Sequence, residues 1–153
     1  MGRSGGVEAL MIEFASCRET RMETLEVKTA RRTQFVDVTD GVRRIVAKTG
    51  VMSGMCYVYV PHTTAGVIIN EHFDPDVATD LERVFDRVVP RAWQYQHSEG
   101  NSDSHAKAAM TGTSQMILVE DGELALGRWQ GVFFCEFDGP RERKIWVKVV
   151  AAK

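Results

Sequence analysis

Ser114-Gln-Met-Ile-Leu-Val-Glu-Asp-Gly-Glu-Leu-Ala-Leu126 decides how this chain folds. Two β-rich runs, Ser114 to Glu120 and Leu124 to Leu126, flank Asp121-Gly122. Asp-Gly tolerates the left-handed backbone of a tight hairpin turn, so the runs are expected to pair antiparallel. The same grammar recurs on both sides. Gly131 to Asp138 and Lys144 to Val150 read as strands joined by Gly139-Pro140 and a charged turn. Upstream, Met22 to Thr29, Thr33 to Val38, Gly54 to Val60 and Ala65 to Asn70 are strand-like.

Two helices punctuate these runs. Thr39 reads as the cap of a helix running to about Thr49, with Val42, Ile45 and Val46 on one face and Gly50 as the stop. Asp74-Pro75 is a capping acid followed by proline at the first helical position. Val77, Leu81, Val84, Phe85 and Val88 follow at helical spacing, leaving Asp80, Glu82, Arg83, Asp86 and Arg87 for solvent. Pro90 ends that helix, residues 91–103 read as loop, and His105 to Met110 as one or two turns closed by Gly112. The reading is an α+β fold: eight or nine strands in a mostly antiparallel sandwich or curled sheet, with two or three helices packed on it. Residues 22–153 are expected to form one domain. Residues 1–21 read as an N-terminal extension, with Met11 and Met22 as alternative starts.

The chain has 153 residues, enough for a single core without a covalent staple. Its formal net charge of -2 argues against a general nucleic-acid or membrane-surface binder, either of which needs a basic face. No apolar run approaches the length of a membrane span. Three cysteines, Cys17, Cys56 and Cys135, are widely spaced and odd in number. That disfavours a disulfide framework and a zinc knuckle and fits a reducing, cytoplasmic setting. A glycine-rich phosphate loop, a G-x-S-x-G elbow and an H-E-x-x-H pair are all missing.

Three polar clusters hold the candidate chemistry. Tyr95 to His105 contains His97 and His105 with Glu99, Asn101 and Asp103 between them. Two imidazoles and a carboxylate are ligand types that divalent metals accept; a solvated loop is the plain alternative. His62 ends the run Tyr57-Val-Tyr-Val-Pro61, with the hydroxyls of Thr63 and Thr64 beside it, suited to phosphate oxygens. Glu71, at another strand end, has the chemistry of a general base or magnesium ligand. Asp74 and Asp76 read as helix-terminus residues and His72 as surface. The third cluster is Trp129-Gln130 with Glu136 to Arg141. Arg141 beside a Gly-Pro turn suits a phosphate clamp, or else an ion pair of Asp138 with Arg141 or Arg143.

Taken in order, these pieces resemble the YjbQ-like family, also named secondary thiamine-phosphate synthase. The matching pieces are Gln34-Phe-Val-Asp-Val-Thr39, His62-Thr-Thr-Ala-Gly66, Asn70-Glu71, Asp74-Pro-Asp-Val77, His97, Gly100-Asn-Ser-Asp103 with His105, Leu126-Gly-Arg-Trp-Gln130 and Glu136-Phe-Asp-Gly-Pro-Arg141. They span roughly residues 24–150, and it is their combination that is specific. Arg128 stands where the resemblance leads one to expect a small residue such as threonine.

The resemblance implies a compact α+β homotrimer with its pocket near a subunit boundary. It implies a transferase that joins a pyrimidine diphosphate to a thiazole phosphate, releasing pyrophosphate, as a secondary activity. The alternative is a metal- or phosphometabolite-binding protein without strong catalysis. On the first reading His62, His97 and His105 hold a divalent metal (zinc or magnesium, with manganese, nickel and iron also open) or phosphate oxygens directly. Thr63, Thr64 and Asn101 bond phosphate, Arg141 clamps it, and Glu71 and Asp103 hold the ion or move a proton. Trp129 stacks on a heteroaromatic ring or anchors the core. The expected partner is a small phosphorylated metabolite, not nucleic acid or membrane.

Overall fold

The computed structural model describes residues 21–152. Among them run β1 (Glu23–Lys28), β2 (Gln34–Asp37), α1 (Thr39–Thr49), β3 (Gly54–Tyr59), β4 (Ala65–Glu71), α2 (Pro75–Val88), α3 (Ser102–Thr111), β5 (Ser114–Glu120), β6 (Glu123–Leu124), β7 (Gln130–Glu136) and β8 (Glu142–Ala151). Alternation, and its absence, sorts the strands into two antiparallel sheets. One has the order β1-β8-β3-β5-β6, the other β2-β7-β4. β3, β5 and β8 alternate buried and exposed residues. They bury one face and leave the other in solvent. β7 buries every residue from Gly131 to Glu136, so it needs cover on both faces.

That cover comes from two cores. One lies between the sheets and under α1, where Val42, Val46, Val58, Val67, Phe134 and Val147 meet. The other lies on the far face of the three-stranded sheet, where Phe35, Phe133 and Phe137 pack under Ala78, Leu81 and Phe85 of α2 and Ala108 of α3. The fold is thus α+β and mostly antiparallel, with three helices, as expected. The Asp121-Gly122 hairpin is present, both residues having positive φ. At Gly66 a Cβ would collide with the Thr111 hydroxyl, so only glycine lets α3 cross β4 this closely. No described helix is long and apolar enough to cross a membrane.

Several local expectations are corrected. Thr39 is the first helical residue, not the cap; Asp37 Oδ1 accepts the Thr39 N–H at 2.9 Å, and the Thr39 hydroxyl accepts from the Val132 N–H. Asp74 does cap α2, accepting from the Asp76 N–H at 2.9 Å. α2, however, is rolled so that Val84 and Val88 are exposed while Glu82 is buried. Glu82 accepts both prongs of Arg31, at 2.6 and 3.0 Å, and the Phe35 N–H at 2.8 Å. α3 begins at Ser102, inside the stretch read as loop. Residues 1–20 of the expected extension, Cys17 included, lie outside the described residues.

Candidate functional site

The link from β3 to β4 carries Pro61-His62-Thr63-Thr64 to a hollow of about 640 Å³. Small-ligand pockets usually fall in this size range. Its wall includes Tyr59, His62, Thr63, His105, Ala109 and Trp146. Tyr59 and Trp146 are cross-strand partners, and their rings stack at 5.7 Å with 23° between planes. His105 projects from α3, and the His97 ring stands edge-on to it at 5.4 Å. Two of the three singled-out histidines therefore line one cavity, with the third against the second.

His62 is held as a neutral base. Its Nε2 accepts the Lys144 backbone N–H at 3.0 Å, which puts the ring proton on Nδ1. Partial burial and the nearby positive charge of Arg143 hold its pKa below the usual imidazole value, outweighing the Lys144 bond and the Glu136 charge. Arg143 forks onto buried Glu136 at 2.7 and 2.8 Å and donates to Thr64 Oγ1 at 2.8 Å. Thr64, expected to bond phosphate, is thus engaged in this buried frame, and Thr63 alone of the pair faces the hollow.

Three expected residues gather elsewhere, around Asp138. Asn101 Nδ2 donates to Asp138 Oδ2 at 3.1 Å, and Arg141 donates to the same carboxylate at 3.0 Å. Arg32 bridges Asp138 at 3.2 Å to Asp103 at 2.9 Å. Arg141 also donates from Nε to the Asp138 carbonyl at 2.8 Å. This is the turn ion pair, not an unengaged clamp. Asp103 is buried and receives Lys107 as well, at 3.2 Å.

Glu71 and Trp129 stand at the opposite end of the three-stranded sheet. Ala65, near His62, pairs with Glu136, whereas Glu71 pairs with Gln130. Six strand steps separate the ends by roughly 20 Å. Trp129 meets Phe73 edge-on at 5.0 Å, with Arg128 over its ring at 5.0 Å. His72, read as a surface residue, bonds Asp37 at 2.9 Å through Nδ1. Among the described residues no three His, Cys, Asp or Glu side chains converge as a metal-ion group. Within one chain the Nε2 lone pair of His62 is occupied and Asp103 is enclosed by Arg32 and Lys107, which leaves His97 and His105 of the expected ligands.

Tyr59 and Trp146 were missed as lining residues. The signal was present: Tyr57 and Tyr59 alternate with Val58 and Val60, and Trp146 lies between Ile145 and Val147, so the aromatics point outward.

A family model described as "UPF0047 protein YjbQ-like" matches residues 23–152. The UPF0047 protein YugU of Bacillus subtilis is 46% identical over 132 residues, covering 84% of this chain and 98% of that protein. A crystal structure of an uncharacterized YjbQ/UPF0047 protein from Clostridium acetobutylicum is 48% identical and covers 84% of this chain and 99% of its own, with a TM-score of 0.82. A YbjQ-like protein of unknown function from Sulfolobus solfataricus P2 is 32% identical, with 86% and 97% coverage and a TM-score of 0.83. This chain belongs to the YjbQ-like UPF0047 family.

Proposed function

We propose that the His62–His105 hollow binds a phosphorylated small molecule bearing an aromatic ring, and that the protein acts as a thiamine-phosphate synthase-like transferase. The observation that carries this reading is the meeting of two imidazoles and the Thr63 hydroxyl with the stacked Tyr59–Trp146 pair in one cavity. His62 offers an Nδ1–H donor to a phosphate oxygen, and Trp146 offers a flat face to a heteroaromatic ring. In the transfer, the thiazole nitrogen forms a bond to the pyrimidine methylene carbon. The C–O bond to the diphosphate breaks, and pyrophosphate leaves with the electron pair. Such a reaction asks the protein for alignment and fixed donors, not for a nucleophile.

Assembly as a homotrimer belongs to the same reading. The outer face of the five-stranded sheet exposes Met55, Tyr57, Met116, Leu118 and Val150, and is continuous with Tyr59 and Trp146 at the hollow's rim. A second copy seated there would roof the hollow. Exposed apolar area of this kind marks a contact surface. The two buried free thiols, Cys56 and Cys135, fit a reducing cytoplasm.

One observation favours the second reading, binding without strong catalysis: among the described residues no carboxylate lines the hollow. The experiment is a turnover assay with the pyrimidine diphosphate and thiazole phosphate, run beside titration with thiamine phosphate. Turnover lost in His62→Ala and Trp146→Ala supports the transferase. Saturable binding without turnover selects the binder, and neither binding nor turnover rejects both.

A further inference from the structure

A second hollow, of about 660 Å³, lies between α2, α3 and the segment leading from Pro90 to Ala92. Five cations line it: Arg31, Arg32, Arg83, Arg91 and Lys107. Three acids face them, Glu82, Asp86 and Asp103. The wall therefore carries two more positive than negative formal charges, in a chain whose net charge is -2. Arg32 also pairs with Asp138 and Arg83 with Asp80, neither of which lines the hollow, so the charge open to an anion is that of Arg91 and the weakly held Arg83.

The three acids are spent. Glu82 takes the Arg31 fork and the Phe35 N–H. Asp103 takes Arg32 and Lys107, and Asp86 takes Lys107 at 2.6 Å and the Thr33 hydroxyl at 3.0 Å. Arg31 and Arg32 are engaged by acids as well, but the remaining cations are less so. Arg91 makes no ion pair among the described residues, and Arg83 reaches only Asp80, at 3.6 Å between two exposed side chains. Lys107 has three donors and uses two, although its side chain is almost wholly buried. Holding an ammonium inside a protein requires compensation, and two carboxylates provide it. Among the described residues its remaining N–H and the Arg91 fork are donors without acceptors, and the Arg83 fork is held only loosely by Asp80.

We propose that this hollow is a binding site for a small dianion, a phosphate monoester or a dicarboxylate, distinct from the His62–His105 cavity. Arg83 and Arg91 grip the anion at the mouth, and Lys107 marks the floor. His105 and Lys107 are two residues apart on α3 and point to opposite sides, so the helix is the partition between the hollows.

The test is a titration of the full chain, at constant ionic strength, with inorganic phosphate and separately with succinate. It is followed through the backbone amides of Thr79, Arg83 and Ala92 by NMR. Saturable shifts at these amides are expected. Affinity should fall at least tenfold in Arg83→Gln/Arg91→Gln with unchanged melting. His62→Ala should leave it unaltered, which separates this site from the one proposed above. A response to phosphate alone assigns a phosphoryl ligand, and a response to both assigns dianion recognition by charge. Absence of saturation with either anion, or undiminished affinity in the double variant, would overturn the proposal.

Discussion

The outer face of the three-stranded sheet carries Phe35, Phe133 and Phe137 under α2 and α3, whereas the outer face of the five-stranded sheet leaves Tyr57, Met116 and Leu118 in solvent. Both faces carry apolar side chains, mixed on the open one with Lys144 and Lys148, but only one is covered by its own chain. The difference teaches that the fold is self-sufficient on the helical side and has apolar surface to spare on the other. The candidate hollow opens at the border of that spare surface, through Tyr59 and Trp146.

Substitutions can break this comparison. Phe133→Ala, under the helices, removes a buried ring and should cost about 3–5 kcal/mol in urea unfolding. Asp103→Ala strips Lys107 and Arg32 of a buried carboxylate and should cost about 3 kcal/mol by the same measurement, since Lys107 retains Asp86. Leu118→Glu, on the open face, should change the stability of the single chain by no more than about 0.5 kcal/mol. On the proposed trimeric assembly it should nevertheless lower the mass read by light scattering to that of one chain. A loss as large as that of Phe133→Ala, with no change in mass, would mean that both faces serve the same structural purpose.

A smaller effect sharpens the account of His62. Its folded pKa is lowered, so the unfolded chain takes up the proton first as pH falls. Stability from this group is complete above the unfolded value of about 6.5 and declines as pH drops through it. Melting of the wild type should therefore fall more steeply below that pH than melting of His62→Gln. Parallel curves would show that burial and the Arg143 charge do not hold the His62 pKa down.

Much of the fold was legible because local rules and tertiary needs agreed. Asp121-Gly122 favours a turn and Asp74-Pro75 a helix start, and both stand where they were read. The site was less legible. Glu82 read as a solvated charge and Asp103 as an ion ligand, yet both are buried because Arg31 and Arg32 reach them from elsewhere in the chain. Residue type does not reveal such long-range pairing. His62 precedes and Glu71 follows the single strand-like run Ala65 to Asn70, so their separation was legible, whereas their chemistry alone did not reveal it. Arg141 offered two readings, and the ion pair with Asp138 is the one the fold adopts.

The most direct test of the central claim is titration of the folded protein with thiamine phosphate, read through the imidazole resonances of His62 and His105. Both should shift and saturate together, with affinity reduced at least tenfold in Trp146→Ala at unchanged melting. Imidazole signals that stay in place while the ligand is present in excess would contradict the assignment of this hollow as the binding site.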